Sequence, residues 1–253
     1  MMSTPVLVVD SLTKVYNTVP VVNAISFEVL KGEIFGILGP NGAGKTTTLE
    51  MIEAITPMTS GHVVVDGTDV RKHPAVVKRK IGVQPQAAAF YDKVTLRELL
   101  VLFGALYGER VDPDGLLREV NLEEKSTSFF EQLSGGQKQR FSIIAALVHN
   151  PVILFLDEPT TGLDPQARRN LWDLVRNIRK KGITIVITTH YMDEAELLCD
   201  RVAIMDSGRI IALDTPSALI QSLLDSGFRK EVRVQQASLD DVFIQLTGKE
   251  LRE

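Results

Sequence analysis

The chain has 253 residues, 44% apolar and 24% charged, enough to bury a full core in one or two domains without disulfides or metals to staple it. Its formal net charge of −4 supplies no global attraction to nucleic acid or to an anionic membrane, and its single cysteine, Cys199, excludes an internal disulfide and fits a buried thiol in a reducing compartment. No apolar stretch approaches the roughly 18 residues that span a bilayer, and residues 1–10 lack a basic segment followed by an apolar one, so the chain is expected to stay in the cytoplasm and meet a membrane only through a partner.

In chain order, β-branched runs at residues 6–9, 21–22 and 25–29, separated by turn residues such as Asn17 and Asn23, predict a small antiparallel sheet. Tyr16 falls in a polar break of that pattern. It reads as a half-buried surface aromatic or as a platform for a nucleotide base, a contact worth about 1–3 kcal/mol. Residues 33–38 read as a short buried strand, and residues 46–55 as a helix. Between them stand Gly39, Pro40, Asn41, Gly42, Ala43, Gly44, Lys45, Thr46 and Thr47, which fit the phosphate-binding pattern G-x-x-x-x-G-K-[ST] in its required strand–loop–helix setting. Glycines let such a loop close on a polyphosphate with its N–H groups inward, and the helix adds its positive N-terminus. Lys45 then carries a charge to the β and γ phosphates, and the Thr46 hydroxyl is a ligand for Mg²⁺.

Residues 56–61 break the pattern before a strand at 62–65 that enters a tight turn at Asp66-Gly67. His62, His73 and His149 lack metal-ligand spacing and read as structural or surface residues. A strand at 81–86 is followed by a loose stretch and by helical periodicity at 95–106 and 116–122, so residues 87–150 are expected to form a mainly helical lobe inserted between strands. Gln86 is either a loop amide or, beside a phosphate site, a residue that orients water or joins the Mg²⁺ shell. Gln84 competes for that part, and Gln86 is preferred because it follows Pro85.

Leu133, Ser134, Gly135, Gly136 and Gln137 open the next helix, with Ser134 as N-cap and Phe141, Ile144, Ala145 and Val148 on the apolar face. Two glycines there cost stability unless the backbone must approach a ligand, and the helix start is a second anion site. Two anion sites on one chain suggest a nucleotide shared across a dimer. Residues 151–156 form a continuous apolar run, as in a central parallel strand, ending in Asp157 and Glu158 where ligands bind open α/β sheets. Neighbouring strand residues point opposite ways, so Asp157 is assigned to Mg²⁺ through its water shell and Glu158 to the proton of the attacking water, a general-base role typically worth about 10²–10⁴-fold. Asp164 reads as the N-cap of a helix over 166–180, His190 ends a strand at 183–189, and residues 201–206 and 209–213 form a hairpin around Ser207-Gly208. From 215 onward a helix, a short strand at 231–234 and a helix at 239–246 are expected.

This order of motifs resembles the ATP-binding subunit of an ABC transporter over nearly the whole chain. The resemblance implies an α/β fold: a P-loop NTPase core with a mainly parallel sheet, an N-terminal antiparallel β subdomain and an inserted helical subdomain. It is taken as one domain over 1–253, with the core at 4–86 and 151–214, the helical lobe at 87–150 and a C-terminal extension at 215–253. The implied roles are Tyr16 for adenine stacking, residues 39–47 as the Walker A loop and Gln86 as the Q-loop glutamine. Residues 133–137 become the signature sequence, Asp157 the Walker B aspartate, Glu158 the catalytic base, Asp164 the D-loop aspartate and His190 the switch histidine. In this family two such domains pair head to tail, as a homodimer or with a homologous chain, so that Ser134, Gly135, Gly136 and Gln137 of one close over ATP and Mg²⁺ on the Walker A loop of the other. The groove near Gln86 resembles the surface that receives a coupling helix from a transmembrane permease, which places the chain on the cytoplasmic face of the membrane. Residues 190–195 and the tail at 238–243 resemble the drug and antibiotic efflux branch with a separate ABC-2 type permease, whose relatives also export lipids or polysaccharides. The alternatives weighed are a soluble ATPase of the same superfamily, acting in cofactor-cluster assembly or as a mechanical adaptor, and a nucleotide-binding regulator without turnover. The presence of both Glu158 and His190 disfavours the regulator.

Overall fold

The computed structural model describes residues 5–229, so the strand expected at 231–234, the helix at 239–246 and the tail motif at 238–243 lie outside the described residues. Among those described, the order is β1 (Pro5–Tyr16), β2 (Val19–Leu30), β3 (Ile34–Leu38), α1 (Lys45–Ile52), β4 (Ser60–Val65), β5 (Thr68–Asp69), α2 (Pro74–Lys80), β6 (Ile81–Gln84) and α3 (Leu96–Tyr107). It continues through α4 (Pro113–Glu119), α5 (Gly135–Ala145), β7 (Ile153–Asp157), α6 (Pro165–Lys180), β8 (Thr184–Thr189), α7 (Met192–Leu198), β9 (Arg201–Asp206), β10 (Arg209–Asp214) and α8 (Pro216–Asp225). One compact unit runs to Leu219 and a second starts at Ile220, of which the described part is the end of α8 and the turn that follows. Among the described residues no helix is long and apolar enough to cross a membrane.

Strands β2, β1, β4 and β5 make the antiparallel sheet in that order, with turns that match the right-handed strand twist. Asp66 and Gly67 take φ 44° and 72°, and Ser207 and Gly208 take φ 47° and 77°, which suits the Asp-Gly and Ser-Gly pairs at those positions. The second sheet runs β10-β9-β3-β8-β7-β6, parallel from β9 to β6 with β10 antiparallel at the edge. Strands β3 and β7 are buried along their whole length, as their unbroken apolar runs require. One core lies on the helical side, with Leu99, Phe141, Leu171, Trp172 and Ile185; the other joins Leu7, Val29, Phe35, Met51 and Phe155 beneath the antiparallel sheet.

Register positions the site. Leu38 pairs with Thr189, and Thr188 pairs with Asp157, so the residues that follow these strands, Gly39, Glu158 and His190, leave the sheet at one edge. Several elements differ from expectation. Helix α1 stops at Ile52 rather than 55, because Ala54 turns left-handed at φ 57°. Helices α2 and α7 have seven residues each, too few for apolar periodicity to register, and were not anticipated. Val148 lies beyond the end of α5 instead of on its face, although it is still buried in the helical-side core.

Candidate functional site

The loop after β3 is fixed by its backbone. Gly39 N–H donates to the Thr189 carbonyl at 3.2 Å, and Gly208 N–H donates to the Ala43 carbonyl at 3.0 Å, which ties the loop to both neighbouring strands. Gly44 sits at φ 102°, where a Cβ would lie 2.7 Å from the Val21 carbonyl oxygen, so this position requires glycine. Lys45 begins α1 with its side chain folded back under the loop. Its Nζ donates to the carbonyls of Gly39 at 2.8 Å and Pro40 at 3.0 Å and stands 3.1 Å from Glu158 Oε1, with only 4% of the residue exposed.

Glu158 leaves β7 in a left-handed turn, φ 47°, a conformation that costs a residue with a Cβ about 1–2 kcal/mol. Its N–H is held by the Thr188 carbonyl at 3.2 Å and hydroxyl at 3.0 Å. That turn aims the carboxylate at the loop: Oε1 meets Lys45, while Oε2 lies 3.2 Å from His190 Nδ1 and accepts from the Thr161 hydroxyl at 3.2 Å. Burial raises the Glu158 pKa, but the Lys45 hydrogen bond and charge, with His190, outweigh it and hold the carboxyl below the usual glutamate value. Asp157, one residue earlier, points the other way and accepts from the hydroxyls of Thr46 at 3.3 Å and Thr188 at 2.5 Å.

A cavity of about 270 Å³ opens over these groups, lined by Asn41, Gly42, Gly44, Lys45, Thr46, Thr47, Gln86 and Glu158. Gln86 reaches this cavity. Gln84 instead is buried, with Nε2 donating to the Pro85 carbonyl at 2.6 Å and to Gln139 Oε1 at 3.1 Å, which pins β6 to α5. Thr46 lines the cavity, and the Asp157 carboxylate that accepts from its hydroxyl adds a second hard oxygen, a donor set suited to Mg²⁺. Among the described residues no group of three or more His, Cys, Asp or Glu forms a metal cluster.

The other sequence-predicted residues do not line the cavity. Tyr16 is 44% exposed at the end of β1, with Lys14 Nζ 4.7 Å from its ring centroid. Ser134 caps α5 in a reciprocal pair with Gln137, the Ser134 N–H donating to Gln137 Oε1 at 2.9 Å and the Gln137 N–H donating to Ser134 Oγ at 3.4 Å. Asp164 caps α6 through the Ala167 N–H at 2.8 Å. Gly136 has a packing reason for its small size: a Cβ there would come within 2.9 Å of Ala167 Cβ, whereas at Gly135 the nearest atom would be 3.8 Å away. Sequence reasoning missed Thr188, which holds both carboxylate residues. The signal was a polar Thr-Thr pair ending an otherwise apolar strand.

Comparison with known proteins accounts for this arrangement. The ABC transporter family profile matches residues 22–161. The linearmycin resistance ATP-binding protein of Bacillus subtilis (strain 168) is 42% identical over 219 residues, which are 85% of this chain and 70% of that protein. The Nod factor export ATP-binding protein I of Paraburkholderia xenovorans (strain LB400) is 43% identical over 218 residues, 84% of this chain and 72% of that one. Among solved structures, the ATP-binding subunit of an ABC transporter superposes with a TM-score of 0.78 at 31% identity, covering 96% of this chain and 99% of its own. A dimeric ATP-binding cassette in a post-hydrolysis state with ADP and Pi gives a TM-score of 0.75 at 25% identity, covering 83% and 98%. With the P-loop core, its antiparallel lobe and the Lys45–Glu158 edge in place, the chain belongs to the ABC transporter family, as an ATP-binding domain that hydrolyses ATP.

Proposed function

We propose that this chain powers an exporter whose substrate path is a separate membrane permease of the ABC-2 type, and that two such chains close head to tail over MgATP. The single observation that carries the residue roles is the run from Lys45 and Glu158, on the wall of the phosphate cavity, to His190, at 3.1 and 3.2 Å. Polyphosphate entering the loop takes Lys45 as its counter-charge and frees Glu158. Water then attacks the γ-phosphorus, the bond to the bridging oxygen of ADP breaks, and Glu158 accepts the proton that water gives up. His190, beside Oε2, keeps that carboxylate aimed and reads the γ-phosphate. Mg²⁺, when bound, neutralises charge on the β and γ phosphate oxygens; Thr46, Asp157 and Gln86 would hold it.

Ser134, Gly135, Gly136 and Gln137 face the second chain's nucleotide in this reading, since the start of α5 presents free N–H groups away from the chain's own phosphate cavity. The permease docks in a second groove of about 420 Å³ beside Gln86, walled by Phe90, Phe103 and Tyr107. The relatives named for linearmycin resistance and Nod factor export support the export reading, with a drug, antibiotic or lipid as cargo. Glu158→Gln tests the roles: it should bind ATP as well as wild type and elute as a stable dimer in MgATP, and wild-type turnover would overturn the base assignment. Copurification from mild-detergent membranes tests the partner. A polytopic protein that changes the ATPase rate supports the permease reading, and soluble partners alone overturn it.

A further inference from the structure

The groove beside Gln86 has an acidic floor. Glu53 follows α1 directly, is 5% exposed, and lines the groove with its side chain. Among the described residues its carboxyl has no hydrogen bond and no ion pair, although Lys78 lines the same groove. A polar group buried in this way is expensive unless something outside the chain completes it. Burial, followed by the like charges of Asp157 and Glu50, pushes the carboxyl up to about 8, so within the folded chain it keeps its proton at neutral pH.

The walls tell what would complete it. Ile81, Val83, Phe90, Phe103 and Ala145 are apolar. The His149 ring stacks on Tyr107 at 3.8 Å between centroids, and its Nε2 lies 2.9 Å from the Ile81 carbonyl oxygen. A carbonyl can only accept, so Nε2 carries the proton and Nδ1 is an acceptor; that Nδ1 is buried without a partner. His149 Nδ1 is closed off within the wall, so the groove presents one unmet group, the Glu53 carboxyl, among apolar side chains, which calls for an N–H donor on an apolar carrier. Helix α3, which contributes Phe103 and Tyr107, leaves the adjacent Leu102 and Leu106 exposed, Leu106 at 67%. That surface extends past the groove along the helix, which suits another helix better than a small molecule.

We propose that the groove seats an amphipathic helix of the permease carrying one arginine, whose guanidinium reaches Glu53 while the helix's apolar face lies on Phe90, Phe103 and Tyr107. This rests on the docking reading above and adds the chemistry of the contact. A guanidinium suits the demand because it keeps its charge when buried and offers several donors in a planar fork. Its arrival gives the Glu53 carboxylate the counter-charge that the chain itself withholds.

The test uses the full chain and two fluorescent amphipathic helical peptides of ~18 residues, identical except for a central Arg or Gln. The Arg peptide should bind wild type at least about tenfold more tightly than the Gln peptide, and the preference should fall to within about twofold on Glu53→Gln, a neutral isostere of the protonated acid. Nucleotide affinity of Glu53→Gln, measured alongside, should stay at the wild-type value, and its melting temperature should be no lower than wild type. Equal binding of the two peptides, a preference that survives Glu53→Gln, or no binding of either overturns the proposal. Ala89→Trp, which narrows the groove, separates the two readings. If both peptides bind equally and Ala89→Trp blocks both, the groove takes a helix without the anchor; if Ala89→Trp still copurifies with a membrane partner, docking at this groove is itself wrong.

Discussion

The phosphate loop and the start of α5, proposed as the two halves of one site, are built on opposite terms. Around the loop, Lys45, Asp157 and Glu158 are all buried, and each finds its partners inside the chain. At the start of α5, Ser134 and Gly135 are exposed, and the polar bonds they make serve only to cap their own helix. A half that is satisfied in isolation holds its geometry before the nucleotide arrives, as electrostatic preorganisation requires. The N–H groups at that helix start lie away from the chain's own cavity, so in the proposed head-to-tail pairing they act on the partner's nucleotide.

The largest expected effect follows from breaking the buried half at its centre. Glu158→Gln keeps the size and the left-handed turn but cannot take a proton, so the ATPase rate should fall by about 10²–10⁴-fold while ATP affinity stays near wild type. Single-turnover hydrolysis with a parallel binding titration separates the two quantities. Loss of affinity equal to the loss of rate would mean that Glu158 serves binding instead.

Much of the buried half was legible in the sequence, because its signals are local. A glycine-rich loop between a strand and a helix, and two carboxylates ending an apolar run, each place their residues within a few positions. What was not legible depends on tertiary approach. Thr188 supports Asp157 and Glu158 only because β7 and β8 pair in one register. Gly136 needs its missing Cβ because α6 crosses there at Ala167. Nor does the sequence show that Glu53, at the end of a helix, is enclosed when the inserted lobe folds back over it.

Glu53 is the exception that sharpens the contrast, a buried acid on the phosphate side without a partner. In the folded chain it keeps its proton up to about 8, whereas an unfolded glutamate loses its own near 4.5. Folding therefore takes up a proton between those values, so this contribution is fully present below 4.5 and is lost as pH rises through about 8. Glutamine does not titrate. Glu53→Gln should match wild-type stability near pH 4.5 and exceed it at pH 8–9 by on the order of a few kcal/mol, read as the difference between paired denaturant melts. A pH-independent difference would show that the carboxyl ionises freely in the fold.

Lys45→Ala removes the counter-charge and strands Glu158 at once. Nucleotide affinity should drop by about tenfold to a hundredfold, the worth of one or two charge-assisted hydrogen bonds. The double variant Lys45→Ala with Glu158→Gln should recover melting temperature without recovering affinity, because it removes the unpaired charge but not the need for a cation. Isothermal titration with ATP and a thermal melt decide both points.

The smallest effects probe the exposed half, where two adjacent glycines stand in different surroundings. Gly136→Ala drives a methyl group to 2.9 Å from Ala167 Cβ and should cost about 1–3 kcal/mol, the usual penalty for overpacking; Ala167→Gly in the same chain should return most of it. Gly135→Ala meets nothing closer than 3.8 Å and should leave stability within about 0.5 kcal/mol. Any fall in ATPase rate from Gly135→Ala then has no cause inside its own chain and measures how closely the partner's nucleotide approaches that backbone. If Gly135→Ala hydrolyses ATP at the wild-type rate while forming the MgATP dimer, the start of α5 does not touch the nucleotide at that residue, and the approach must be made by Ser134 and Gln137.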